Sequence, residues 1–191
     1  MNKWIFLTLM VGLFLITAGS LDSAFCSERE YQLITSALDG NLPNMRELLA
    51  SGTDPNANDD EGYTPLLICS GDGNAECVDL LLSKGANVNL KNMWGASPII
   101  LASSGGYTEI VKRLMKKGAD VNARGKAGRT PLFWASGMGH AEVVNILLEN
   151  GANVNARDDS GSTPLSMAIS NHKKDVLLLL RKHGAILESK M

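Results

Sequence analysis

The sequence predicts an all-α repeat solenoid, in which helix-turn-helix units stack side by side and share one continuous core. Three observations predict this class. A similar sequence motif recurs every 33 residues without an insertion. Each copy begins with a hydroxyl residue followed by proline and ends with glycine followed by alanine. Such self-similarity at a fixed period is typical of stacked repeat architectures.

These markers set the register of the repeat. The opening pairs are Thr64-Pro65, Ser97-Pro98, Thr130-Pro131 and Thr163-Pro164, and the closing pairs are Gly85-Ala86, Gly118-Ala119, Gly151-Ala152 and Gly184-Ala185. A glycine at position 52 extends the array by one period upstream. The repeat domain therefore covers residues 26–191, with units at 26–58, 59–91, 92–124, 125–157 and 158–190.

Each unit is expected to fold as a helical hairpin. The hydroxyl of Thr64, and those of its equivalents, can accept a hydrogen bond from a free N–H of the first turn, and Pro65 follows where its missing N–H costs nothing. The first helix of this unit should end near Ser70, at a glycine-containing turn. A second, apolar helix follows and stops at Gly85, which suits a left-handed cap.

The segments between the hairpins are rich in Asn, Asp and Gly, which favours projecting turns that resemble β-hairpins. The Thr-Pro-Leu start at Thr64, the Gly-His-Ala-Glu-Val-Val run from Gly139 and the Gly-Ala-Asn-Val-Asn-Ala run from Gly151 resemble the ankyrin repeat. This resemblance covers residues 26–188. It implies a stack whose concave face binds a partner protein. The chain departs from the pattern where the histidine common after Thr-Pro-Leu is replaced, as at Leu67.

Residues 1–25 fall outside the repeats and are expected to be a signal peptide. A lysine precedes an apolar run from Trp4 to Ala18, and small residues follow, as in segments that signal peptidase cleaves. We expect cleavage between Ser20 and Ser27, and a mature protein that is periplasmic or secreted. The alternative is an uncleaved inner-membrane anchor, although the run is short for a span of ~20 residues.

Two cysteines fall within one hairpin, Cys69 on its first helix and Cys77 on its second. Other units place alanine, valine or isoleucine at these positions, so the pair can act as small buried hydrophobes. The alternative is a disulfide, which an oxidising compartment permits if the Cα atoms lie within ~7 Å. Because no histidine or third cysteine lies at ligand spacing, we expect no metal site.

Catalytic chemistry finds no support in the sequence. His140, His172 and His183 fall at turns or helix ends, and no nucleophile, base and orienting acid come together. The glycine turns at Gly71 and Gly105 join two helices and lack the lysine of a phosphate-binding loop. We therefore expect neither enzymatic activity nor a cofactor.

Charge is spread unevenly along the repeats. Residues 27–91 hold eleven acidic and four basic side chains, whereas residues 92–157 hold four acidic and eight basic ones. A partner with complementary patches would be steered to such a surface, but a solvated surface without a partner explains the same charges. Nucleic acid is not an expected partner, because no basic stripe with interleaved aromatics is present.

The register maps a partner-binding surface onto the turn tips and the first helices. Tyr63, Trp94 and Arg129 are its expected anchors, because aromatic and arginine side chains supply much of the energy of protein interfaces. Packing against a neighbouring turn is the alternative role for Trp94, and Trp134 is assigned to the core. The complete expected set is Asp60, Glu61, Tyr63, Asp72, Met93, Trp94, Lys117, Lys126, Arg129 and Met138.

Together these patterns predict an exported, monomeric, non-enzymatic adaptor that binds another protein. One alternative of the same class is an inhibitor or immunity partner of an envelope enzyme, which would bind tightly and one-to-one. A different alternative is a membrane-tethered scaffold, which would keep residues 1–25 on the mature chain.

Overall fold

The computed structural model describes residues 28–186, which form ten α-helices and one short 3₁₀-helix. The helices are α1 (Glu28–Leu38), α2 (Leu42–Ala50), α3 (Pro65–Asp72), α4 (Ala75–Ser83), α5 (Pro98–Gly105), α6 (Thr108–Lys116), α7 (Pro131–Met138), α8 (Ala141–Glu149), α9 (Pro164–Ser170) and α10 (Lys174–Lys182), and the 3₁₀-helix is Lys126–Gly128. They form five consecutive pairs, each with an odd-numbered first helix and an even-numbered second helix. The expected signal peptide, residues 1–25, lies outside the described residues.

Threonine hydroxyls begin three of the first helices, as the sequence predicts. The Oγ1 atoms of Thr64, Thr130 and Thr163 accept bonds of 3.3, 3.2 and 3.2 Å from backbone N–H groups three residues later. The prediction is wrong for Ser97, whose buried hydroxyl has no hydrogen-bond partner among the described residues. Serine lacks the γ-methyl group that restricts χ1 in threonine, so its hydroxyl can turn away from the helix. Helix α3 also continues to Asp72, beyond the expected end.

The helices form two layers with one continuous core between them. Its largest fully buried side chains include Leu33, Met45, Leu66, Leu81, Ile99, Leu114, Phe133, Leu147 and Leu165. Successive first helices pack against one another more closely than successive second helices do. Small residues permit this approach: Gly71 lies against Leu101 of the next first helix, and Gly137 lies against Met167. The stack therefore curves, with the first helices on its concave side.

Four turns, here called fingers, project between successive helix pairs. Finger 1 is residues 54–63, finger 2 is 87–96, finger 3 is 120–129 and finger 4 is 153–162. Backbone hydrogen bonds close each tip, among them bonds of 2.9–3.2 Å from the N–H of residues 59, 92, 125 and 158 to the carbonyls of residues 63, 96, 129 and 162. The fingers therefore resemble hairpins, although no strand is assigned within residues 28–186. No helix in this range has the length and apolar character needed to cross a bilayer.

Asparagine side chains join the base of each finger to the next unit. The Oδ1 atoms of Asn56, Asn89, Asn122 and Asn155 accept backbone N–H bonds of 2.6, 3.0, 2.8 and 3.0 Å from the following unit. The last three also donate Nδ2–H to the carbonyls of Gly118, Gly151 and Gly184. This ladder holds the fingers parallel, so their tips line up along one edge of the concave face.

The two cysteines of the second helix pair lie side by side in the core. Cys69 and Cys77 are 1% and 0% exposed, and a disulfide joins them with a Cα–Cα distance of 5.9 Å. This separation falls within the range that a disulfide requires. Such a bond persists in an oxidising compartment, which agrees with the expected export of the chain.

Candidate protein-binding surface

The tip of finger 2 exposes two large apolar side chains. Met93 is 65% exposed and Trp94 is 45% exposed. The Nζ atom of Lys126, on finger 3, lies 4.5 Å from the centroid of the Trp94 ring. A lysine ammonium at this distance from an indole ring makes a favourable cation–π contact. Met93, Trp94 and Lys126 together combine an apolar surface with a positive charge.

The tip of finger 1 carries the opposite charge. Asp60 and Glu61, called the acidic tip below, are exposed, and their carboxylates have no ion-pair or hydrogen-bond partner within residues 28–186. The carbonyl of Glu61 accepts a 2.9 Å bond from the N–H of Met93, so this tip lies directly beside finger 2.

Two glycines allow neighbouring tips to touch. Gly62 has φ +79°, and a Cβ atom added there would lie 3.1 Å from Asn92 Cα. Gly95 has φ +70°, and a Cβ atom added there would lie 3.1 Å from the backbone nitrogen of Lys126. Other residues would be strained at these angles and would also push the fingers apart. The glycines thus make fingers 1 to 3 one continuous surface.

Arg129, one of the expected anchors, is paired within the molecule. Its Nε atom donates to Oδ2 of Asp158 at 3.3 Å, and its guanidinium lies 5.2 and 5.3 Å from the ring centroids of Phe133 and Trp134. The side chain of Asp158 is only 2% exposed. Arg129 therefore fastens finger 3 to finger 4, and its role as an anchor for a partner stays a prediction.

The pKa of Asp158 is lowered from its ordinary value despite its burial. Burial alone opposes ionisation and raises the pKa, but several hydrogen bonds to the carboxylate outweigh it. These bonds come from the hydroxyl and N–H of Ser160 at 2.6 and 2.9 Å, from the N–H of Ser162 at 2.9 Å and from Arg129. The carboxylate is therefore charged at neutral pH and holds the tip of finger 4 together.

Trp134 packs against the core, as the sequence predicts, but it is not fully buried. Its ring packs partly against the core, but it is only half-buried, and its neighbour Arg129 covers part of it. At the same position of their units, Leu101 and Met167 are half-buried too, whereas Ile68 is 7% exposed and belongs to the core. This position lies on the concave side of the first helix. An apolar side chain there can therefore be partly exposed, which its residue type does not reveal.

Lys117 lies on the other side of the molecule, contrary to the expectation that it belongs to the concave face. It follows α6 and lines a groove of about 280 Å³ between the second helices α4 and α6, together with Leu82 and Arg113. Arg113 pairs there with Asp79. Lys117 was assigned to the correct position of the repeat but to the wrong face of the molecule. It directly follows the second helix of its unit, and the second helices form the outer layer.

The remaining expected residues lie on the concave side but do not all meet. Tyr63 is half-buried and packs against the core at the base of the acidic tip. Asp72 and Met138 are exposed at the last positions of α3 and α7, the ends remote from the fingers. Met138 lies seven positions after Pro131, which is a rise of about 10 Å along the helix. Of the expected residues, Asp60, Glu61, Met93, Trp94 and Lys126 thus lie together at the finger tips, whereas Asp72 and Met138 lie apart from them.

Sequence reasoning missed the contacts that join units. The pairing of Lys126 with Trp94 and the asparagine ladder both link residues 29–32 positions apart. The ladder had a visible signal, since asparagine recurs at 89, 122 and 155. Within the described part of the chain, no group of His, Cys, Asp and Glu side chains is arranged to hold a metal ion.

Comparison with protein families identifies the architecture. A family model for ankyrin repeats, with three copies, matches residues 33–125 and 119–191. The chain belongs to the ankyrin-repeat family. Ankyrin repeats are generic protein–protein interaction modules and are typically non-enzymatic. No curated protein matches the chain.

Proposed function

We propose that this ankyrin-repeat protein is an exported, monomeric, non-enzymatic adaptor that binds a partner protein across its finger tips and first helices. The observation that carries the proposal is the exposure of Met93 and Trp94 at the tip of finger 2, with Lys126 beside them. Exposed aromatic side chains next to a cation are typical anchors of protein interfaces. Family membership supports a protein ligand, since ankyrin repeats serve in protein–protein interaction.

Export is proposed from the N-terminal sequence and from the cysteine pair. The apolar run after a lysine has the organisation of a secretory signal. The close approach of Cys69 and Cys77 suits an oxidising compartment, where a disulfide persists. Mass spectrometry of the mature N-terminus tests this proposal. A start between residues 20 and 27 agrees with export, whereas retention of residues 1–25 favours the tethered scaffold.

Crosslinking in the native envelope, followed by pull-down, tests the binding function. The baits are the wild type, a double Met93→Ser, Trp94→Ala variant of the tip, and a matched double Lys116→Ala, Lys117→Ala variant of the outer groove. We expect one protein to be captured by the wild type and the groove variant but not by the tip variant. Capture by all three baits, or by none, would contradict the proposed surface.

A further inference from the structure

Fingers 1 to 3 present two opposite charges with an apolar surface between them. The acidic tip lies at one end, Met93 and Trp94 lie in the middle, and Lys126 lies at the other end. The fingers abut at their glycines, so these groups form one track on the concave edge. Such an order of charges can fix the direction in which a ligand lies, because the reverse orientation places like charges together.

The charges of this track are available, whereas the two arginines of finger 3 are already paired with carboxylates. Arg124 pairs with Asp159 at 3.2 Å, and Arg129 pairs with Asp158 at 3.3 Å. Lys126 makes its cation–π contact but has no carboxylate partner within residues 28–186. It is therefore the one arginine or lysine of finger 3 that can accept a carboxylate without breaking an existing ion pair.

We propose, on the basis of the protein-binding function above, that this track binds an extended segment of the partner protein with a defined charge order. A lysine or arginine of the segment faces the acidic tip, an apolar side chain packs on Met93 and Trp94, and an aspartate or glutamate pairs with Lys126. The Trp94 ring holds the ammonium in place, so the incoming carboxylate meets a positioned charge.

The spacing of the fingers sets the spacing of these groups. Packed helices lie about 8–10 Å apart, so fingers 1 and 3 are separated by roughly 20 Å. An extended chain rises about 3.3 Å per residue, so the basic and acidic residues of the segment should lie about six positions apart. A nucleic acid or an anionic bilayer fits poorly, because its phosphates would meet the acidic tip with like charge.

Selection from a random twelve-residue peptide display library on the purified chain tests this proposal. Enriched peptides are then synthesised and titrated by calorimetry against the wild type, Lys126→Glu and Glu61→Lys, with Lys117→Glu as a charge-matched control on the outer groove. We expect enriched peptides with a basic residue, an apolar residue and an acidic residue in one fixed order. Each finger substitution should weaken binding about tenfold, and the control should leave it unchanged.

Charge reversal in the peptide separates specific pairing from general damage. A peptide whose acidic residue is replaced by lysine should bind Lys126→Glu better than it binds the wild type. Absence of enriched peptides, enrichment without charge order, or equal binding to all variants would overturn the proposal. Binding of single-stranded DNA or of phosphatidylglycerol vesicles that is lost in Trp94→Ala would overturn it as well.

This experiment can fail separately from the proposed function. If peptides show no charge order but envelope capture still depends on Met93 and Trp94, the protein-binding surface stands and the charge track is wrong. If capture is also independent of Met93 and Trp94, both the charge track and the proposed binding surface are wrong.

Discussion

Replacing Asp158 by asparagine isolates the charge that fastens finger 3 to finger 4. Asn92 shows that an asparagine oxygen can brace a finger tip, because its Oδ1 accepts the N–H groups of Trp94 and Ala96 at 3.0 and 2.9 Å. Asp158→Asn should therefore keep the tip bonds of finger 4 but lose the ionic bond to Arg129.

The expected loss follows from the burial of this pair. A hydrogen bond to a charged group contributes about 1.5–3 kcal/mol, and the 38% exposure of Arg129 places this one near the lower end. We expect Asp158→Asn to lower the free energy of unfolding by about 1.5–2 kcal/mol. With a urea m-value of about 2 kcal/mol per M, the midpoint should fall by about 1 M.

The matched control is Asp159→Asn, next in the chain. Asp159 and its partner Arg124 are 67% and 52% exposed, so this ion pair should contribute less than about 0.5 kcal/mol. Urea unfolding monitored by circular dichroism compares the two variants. Equal losses in both, or no loss in Asp158→Asn, would refute the assignment of Asp158 as the brace.

The stability difference between the wild type and Asp158→Asn should become smaller at acidic pH. The pKa of Asp158 is lowered below its ordinary value of 3.8, so its carboxylate stabilises the fold at all pH values above that value. This stabilisation is lost as the pH falls through the lower pKa of the folded state. The difference between wild type and Asp158→Asn should stay constant from pH 5 to 8 and shrink below about pH 4. A difference that persists unchanged at pH 2.5 would contradict the reasoning.

Three further predictions concern the backbone and the cysteines. His172 has φ +55° where the preceding units have glycine, so His172→Gly should raise the free energy of unfolding by about 0.5–1 kcal/mol in urea titrations. Gly95→Ala should cost at least about 1 kcal/mol more than Gly118→Ala, because both have positive φ but only Gly95 lies against a neighbouring finger; equal costs would contradict this contact. Dithiothreitol should destabilise the oxidised wild type by about 2–3 kcal/mol but leave a double Cys69→Ala, Cys77→Val variant unchanged, and no effect on either would show that the bond does not form.

The fold could be predicted from the sequence because its determinants are local and repeated. Thr64 and Pro65 start a helix wherever their pair recurs, and Gly85 and its equivalents end one. A misjudged detail, such as the missing cap bond at Ser97, leaves the helix in place because packing between units stabilises it.

The site was less predictable because it depends on contacts between units. Arg129 was expected to be an anchor from its residue type, but its pairing with Asp158 joins residues 29 positions apart and uses its charge within the molecule. Trp134 was assigned to the core because its position matches Ile68, Leu101 and Met167 in the other units, but its ring is only half-buried. Residue type and register place a side chain on a unit, but its rotamer and its neighbours in the next unit decide whether it is free to bind.

The central claim, that a partner protein binds at the finger tips, is tested most directly by site-specific photo-crosslinking in the producing cell. A benzoyl-phenylalanine is placed at Met93 in one variant and at Lys117, on the outer groove, in another. We expect a crosslink to one protein from position 93 and none from position 117. A crosslink from position 117 alone would place the partner on the outer helices and refute binding at the finger tips.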